Sequence, residues 1–407
     1  MEAHGLARII GRIGGQADWI SHFSSRKESK MAVSQDFASV DLSVKPYLGS
    51  GAQEMHLESI VRLWRERFDE DHIEKRQILF RWLTERNPFR EGRTPYYLLT
   101  HGGQVVGMHG HMPLRFSLRG RQMTGYLAHD DLLAKAYRGK GLGKVLLRGV
   151  AEQTTDFAGA LWFNEPNRHL YLKAGWLPVP DFYPYFKILD PAPFIRQRVG
   201  GRISRTTLSL LARSALRVGE LALRARIPRR IAIIPMMHFD ERFDEFFSRV
   251  SPAFGLMVVR DHWYLNWKFV ERPFSNYRRY AAFNNQDTLC GYAVIKRAKT
   301  GDRLRGQILD ILADPREPEA FEGLLNQCLQ DFKRSGVDCA EIMCTYPPFI
   351  RQLRRAGFLR ARTPEPFMAC KWEQQFERSF VSSIGNWYLT FGDADGDAWD
   401  VNSPEPW

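Results

Sequence analysis

Cysteine is scarce in this chain of 407 residues: there are five, at 290, 328, 339, 344 and 370. They form an odd set with no C-x-x-C pair, which excludes a disulfide framework and offers no zinc pattern. A reducing, cytoplasmic setting is expected. No apolar run approaches the ~20 residues that a membrane span requires. The opening stretch "MEAHGLARIIGRIGGQADWI" has arginines but no continuous apolar core, so it does not read as a cleaved secretory signal. Met31 is an alternative start, and residues 1–44 are expected to be a disordered segment.

Two phosphate motifs are also missing. A P-loop needs Ser or Thr after Gly-Lys, and Gly143-Lys144 is followed by Val145. A dinucleotide fingerprint needs G-x-G-x-x-G, and the spacing here is G-x-G-x-G. An EF-hand would need Gly and Glu where the tail has Ala398 and Pro404. The tail is expected to give a closing strand, Trp387 to Phe391, and then an acidic turn.

What is present describes a folded chain: 44% hydrophobic and 13% aromatic residues exclude general disorder. A formal net charge of +12 favours polyanionic neighbours without choosing among nucleic acid, acidic membrane and phosphorylated ligand. The length suggests two domains.

From Lys45 the pattern is regular. Leu57, Ile60, Val61, Trp64 and Phe68 recur at helical spacing, and a second helix should stop at Asn87-Pro88. A hairpin about His101-Gly102-Gly103 and a strand ending in "AHDDLLA" follow. Next come a glycine loop, a helix, a short strand "ALWF" and a short helix "NRHLYLKAGW". This order predicts an α/β (α+β) fold, a mixed sheet with helices on both faces.

Residues 191–235 differ in being arginine-rich. Leu208, Leu211, Ala215, Val218 and Ala222 share one helical face, and Arg213, Arg217, Glu220 and Arg224 the opposite one. A packed connector is the favoured reading. Contact with an anionic membrane through 202–230, peripheral at its inner face, is the second.

From 236 the order of elements repeats, down to "LYLKAGW" against "RQLRRAGF". The expected organisation is therefore an N-terminal segment (1–44), a first domain (45–190), a helical linker (191–235), a second copy (236–373), and a strand and tail (374–407).

The stretch "YRGKGLGKVLL" (137–147) carries the clearest chemistry. Alternating glycines permit positive φ and close approach of a ligand to the backbone. A helix N-terminus following them offers unpaired N–H groups and the positive end of a dipole. The loop reads as a phosphate site.

Arg138-x-x-Gly141-x-Gly143, followed by Asn164, Tyr171, Lys173 and Gly175 at the matching spacings, resembles the two best-known motifs of the Gcn5-related N-acetyltransferase superfamily. Trp176 stands where the family has Phe. The resemblance is specific over 125–180 and compatible over 45–190. It implies acetyl-coenzyme A, or another acyl-coenzyme A, as co-substrate, with no metal.

In that reading the backbone of Gly139, Lys140, Gly141, Leu142, Gly143 and Lys144 receives the pyrophosphate, with Arg138, Lys140 and Lys144 adding positive charge. The strand around Leu133 parts from its neighbour and offers an N–H to the thioester carbonyl. Asn164 ties the strand end to the pantetheine arm or to backbone. Tyr171 stands at the family's general-acid position for the departing thiolate, the alternative being that it only packs over the cofactor.

For the general base, strand alternation puts Asp131 and His129 on one face and Asp130 on the other. Asp131 with His129 is the choice, against a capping or edge role for either. His109 and His111, in "HGHMP", are placed along the same cleft, and no third ligand makes them a metal site. The first unit has no cysteine, so a cysteinyl acyl-enzyme is excluded and direct transfer in a ternary complex is expected.

In the second copy the loop reads "LADPREPEAFEGLL". Arg316 survives, the glycines do not, and Leu353 replaces the tyrosine. Glu317, Glu319 and Glu322 would repel a pyrophosphate, so this copy should not bind coenzyme A in the same way. The expected function is N-acyl transfer to an amine acceptor, an amino sugar of a surface polysaccharide or glycolipid suiting the basic chain. The alternatives are a FemAB-like aminoacyltransferase using aminoacyl-tRNA and a non-catalytic coenzyme A-binding scaffold. Nucleic acid is not the expected partner.

Overall fold

The computed structural model describes residues 41–47, 53–154, 157–161, 165–179, 182–198, 209, 230–301, 303–362, 367–371, 377–381, 383–393 and 407. Residues 1–40, nearly all of the arginine-rich connector, Asn164 and most of the acidic tail lie outside them.

Helix α1 (Gln53–Arg65) buries Ile60, Val61 and Trp64 along one stripe, as its periodicity demands. Asp69 caps α2 (Glu70–Glu85) by accepting the His72 N–H at 2.9 Å, and the helix ends ahead of Asn87-Pro88. Strands β1 (Leu42–Pro46), β2 (Tyr96–His101), β3 (Gln104–Leu118) and β4 (Arg121–Leu133) form an antiparallel meander. Helix α3 (Leu142–Gln153) then crosses to β5 (Phe157–Leu161), which pairs parallel to β4, and α4 (Glu165–Lys173) leads to β6 (Leu177–Pro178).

The second half repeats this plan. Strand β7 (Tyr185–Ile188) and helix α5 (Ala192–Arg198) precede the connector. After it come β8 (Ile231–Pro235), α6 (Arg242–Val250), β9 (Leu256–Val258) and α7 (His262–Phe269). The meander β10 (Arg278–Asn284), β11 (Leu289–Thr300) and β12 (Arg303–Ala313) follows, then α8 (Pro318–Arg334) and the parallel strand β13 (Cys339–Ile342). Helix α9 (Pro347–Arg355), β14 (Leu359–Arg360) and β15 (Phe367–Lys371) close it.

The two sheets exchange strands. The first has the order β1-β2-β3-β4-β5-β15-β6, with β9 paired to the end of β3; the second has β14-β7-β13-β12-β11-β10-β8. Thus β7, inside the range expected for the first domain, belongs to the second sheet, and β15 from the second half sits between β5 and β6. One apolar cluster runs through both halves, from Leu79, Leu114 and Phe157 to Phe246, Leu312 and Phe349. Trp82 of α2 stacks on Trp267 of α7 with centroids 4.7 Å apart, and its indole N–H donates to the Trp267 carbonyl. The architecture is two mixed sheets with helices, as expected, but interlocked rather than merely tethered. At the tail, Trp387 makes a single parallel bridge to Leu256 and 391–393 is a turn of 3-10 helix, so no regular strand forms there.

Candidate active site

Among the described residues, parallel pairing of β4 with β5 runs from Gly125↔Phe157 to Ala128↔Ala160, while β4 continues to Leu133 against β3. The Ala134 N–H donates to the Val106 carbonyl on β3 at 2.9 Å. By strand alternation the neighbouring Leu133 N–H points the other way, away from β3. The expected parting of the strand at Leu133 concerns residues 162–164 on the β5 side, which lie outside the described ones.

The glycine loop follows the end of β4 and leads into α3. Gly139 and Gly141 take φ of +74° and +78°, where a side chain would be strained. A Cβ on either would meet no atom of the described residues within 4 Å, so packing against these does not demand the glycines and the backbone is left bare. Gly141 is the residue ahead of α3, whose first turn contains Lys144 and no acid. That combination fits an anionic ligand, since the unpaired N–H groups and the helix dipole both point there.

Gly143 has another role: a Cβ there would lie 3.0 Å from Leu170 Cδ2, so it permits close packing of α3 on α4. Leu142 is buried and anchors the helix, leaving its backbone for the loop. Arg138 folds back, its Nε donating to the Leu133 carbonyl at 2.9 Å. It braces the loop against the end of β4. Lys140 lies over the Tyr137 ring at 5.8 Å, and Lys144 is exposed.

The carboxylates sit on a β-bulge. Registers Gly110↔His129 and Met108↔Leu132 leave His109 facing both Asp130 and Asp131, and Asp130 takes φ +50°. The extra residue reverses the alternation. His129 stays on the side of α1 and α2, with its Nδ1 3.3 Å from the Tyr96 hydroxyl. Asp130 pairs with Arg76 of α2 at 2.5 Å on that same side. Asp131 turns to the α3 and α4 side. The expectation that Asp131 and His129 share a face is corrected, and the bulge is the cause.

Burial, reinforced by the nearby charges of His109, Arg76 and Lys268, lowers the His129 pKa to about 3. An imidazole so poor at taking up a proton is set aside as general base.

Asp131 gathers three partners. The Tyr171 hydroxyl donates to Oδ2 at 2.6 Å, Asn167 Nδ2 approaches the same oxygen at 3.4 Å, and His109 Nδ1 binds Oδ1. Tyr171 is buried against Trp176, with ring centroids 4.5 Å apart. His109 is buried too, and Asp131 keeps 16% of its side chain exposed, which makes it the member open to a substrate. His111 packs beside His109 with centroids 4.6 Å apart, and burial holds its pKa well below the ordinary value.

Sequence reasoning thus named Asp131 and Tyr171 and placed His109 in the cleft, but missed their direct bonding and Asn167. The Asn167–Tyr171 spacing, i and i+4 on one helix, was the available signal. Among the described residues the one cluster with metal-like spacing is Asp69, Asp71 and His72, an exposed acidic group at the start of α2.

The corresponding place in the second sheet is built differently. Pairing of β12 with β13 ends at Ile308↔Ile342 while β12 continues to Ala313, so this sheet opens there. Here the tail enters the gap. Thr345 Oγ1 accepts from the Leu389 N–H and donates to the Trp387 carbonyl, and the Tyr388 hydroxyl donates to the Ile311 carbonyl. Gly392 lies against Leu309 and Phe269.

Arg260, fully buried, spans the same gap, reaching Asp310 at 3.1 Å and Asp393 at 2.7 Å. Burial works against its charge, yet the two carboxylates hold its pKa well above the usual value. Asp393, the first acid after Trp387–Phe391, is thereby committed to an arginine. The loop's Arg316 turns back onto Asp314 at 2.8 Å, Pro318 opens α8, and Glu319 occupies its first turn.

Residues 57–176 match the model of the Acetyltransferase (GNAT) family. Among solved structures, the chain is similar to a GCN5-related N-acetyltransferase from Anabaena variabilis, with TM-score 0.54 and 14% identity over 81% of this chain and 72% of that one. It is similar also to a conserved Enterococcus faecalis protein described as a probable N-acyltransferase, with TM-score 0.51 and 13% identity over 82% and 73%. Saccharomyces cerevisiae N-myristoyltransferase with bound myristoyl-CoA and inhibitors gives TM-score 0.50 and 13% identity over 91% and 93%. No curated protein matches.

Proposed function

We propose that this chain, whose residues 57–176 match the GNAT acetyltransferase family model, is an acyl-coenzyme A-dependent N-acyltransferase whose one working site lies at the end of β4. The observation that carries the reading is the bare, positive-φ loop ahead of α3, beside a Leu133 N–H that turns away from β3. The backbone from Gly139 to Lys144 holds the pyrophosphate, with Lys140 and Lys144 as flanking charges. Leu133 directs its N–H at the thioester oxygen, where a positioned donor contributes about 3 kcal/mol to the transition state. Asp131 takes the proton of the acceptor amine as its nitrogen attacks the thioester carbon, and Tyr171 returns a proton to the thiolate as the C–S bond breaks.

The acceptor is an amine. With a net charge of +12 the chain favours one that carries phosphate, such as an amino sugar on a nucleotide or lipid carrier. In this reading the enzyme is cytoplasmic, with 202–230 as the segment to meet an anionic inner membrane face.

Calorimetric titration with acetyl-coenzyme A tests the donor. Saturable binding that disappears in a Gly141→Glu/Gly143→Glu variant is expected, and no binding by the wild type would refute the reading. Thiol release with amino-sugar carriers set against polyamines then tests the acceptor, the carriers being expected to react faster.

A further inference from the structure

Resting on that reading, we infer that Asp131 and Tyr171 are not a separate base and acid but one relay that carries the same proton equivalent from amine to thiolate, with His109 as the positioning residue that aims it. The two groups are directly bonded: Tyr171 donates to Asp131 Oδ2 at 2.6 Å, while Oδ1 is taken by His109. Both donors are buried and the carboxylate is partly open, so the proton enters at Asp131 and has one bonded hydroxyl to go to.

The steps balance. The N–H of the attacking amine passes to Asp131 as the C–N bond forms. Tyr171 gives its hydroxyl proton to the sulfur as the C–S bond breaks, and Asp131 restores that proton to the phenolate oxygen. The carboxylate ends as it began, and no other co-reactant is needed.

The bulge explains how the relay is built. With ordinary alternation Asp131 would face α1 and α2 beside His129; the left-handed Asp130 turns it to Tyr171. His109, the single residue of β3 opposite the bulge, then holds the carboxylate by its Nδ1. With Nδ1 as donor the ring needs no titration to do so, and an amide in its place supplies the same N–H.

The test uses the full chain with acetyl-coenzyme A and hydroxylamine as probe acceptor, reading hydroxamate and free thiol. Tyr171→Phe and Asp131→Asn are each expected to lower kcat by about 100-fold, and the double variant to lower it no further. Losses that multiply to about 10⁴-fold would mean independent groups and would overturn the relay.

His109→Ala should lose about tenfold, and His109→Asn should recover most of it; an Asn variant as impaired as Ala overturns the positioning role. Acetyl-coenzyme A affinity, expected to stay within about threefold in all variants, reports that they are folded and separates the two readings. A wild type that binds acetyl-coenzyme A without accelerating hydroxamate formation overturns the relay, whereas a wild type that does not bind it overturns the function beneath.

Discussion

Strand β4 runs on to Leu133 past its last described pair with β5, and β12 runs on to Ala313 past β13. The backbone plan of the two halves is therefore alike, and what differs is the filling. In the first half β4 ends on a glycine loop whose Gly139 and Gly141 meet no described atom, and it carries a carboxylate open to substrate. In the second the gap between β12 and β13 holds Trp387 to Asp393, a buried arginine and two buried aspartates. The loops follow suit: Gly141 and Lys144 at one helix start, Pro318 and Glu319 at the other. A parted pair of strands is thus no evidence of a ligand site. It has to be empty, and its mouth has to carry the right charge.

Breaking the filling should give the largest effect. Arg260→Leu leaves Asp310 and Asp393 buried without their partner, which costs about 3–5 kcal/mol. A large fall in Tm is expected, with no second acetyl-coenzyme A site gained. Asp393 is raised in pKa by burial even with Arg260 present, so the loss of the arginine should be felt most there.

Next comes the glycine loop. Gly141→Glu should weaken acetyl-coenzyme A binding by about 100-fold, or ~2.7 kcal/mol, whereas Arg316→Ala in the second loop should leave it unchanged. Equal sensitivity of the two loops in titration would dissolve the contrast between the halves. Smaller is Gly139→Ala, where positive φ imposes a strain of about 1–2 kcal/mol without any clash. Its thermal shift should be measurable while binding falls only modestly.

The effect of pH grows as the medium becomes acid. Folded His129 takes a proton near pH 3 and an unfolded imidazole near 6.5. Between those values the unfolded chain binds more protons, so the stability this residue contributes is complete above about 6.5 and is lost as the pH falls toward 3. His129→Gln should flatten the decline of Tm over that window, and an unchanged slope would contradict the assignment.

The glycine loop and Tyr171 were legible in the sequence because they depend on spacing within one strand–helix–strand unit. The degenerate loop around Arg316 was legible for the same reason. The bulge at Asp130 was not: His-Asp-Asp contains no glycine to mark a left-handed residue, and its position depends on the register with β3. Nor was the strand exchange, since β7 and β15 are short and their partners lie far away in the chain. The tail's role escaped for a related reason. "WYLTFGD" alternates well enough for a strand, and only the buried Arg260, remote in sequence, shows what it fills.

Hydrogen exchange with and without acetyl-coenzyme A tests the contrast most directly. Protection is expected at Leu133 to Leu146, with the amides of Asp314 to Phe321 unchanged. Protection at the second loop, or at neither, would contradict the account.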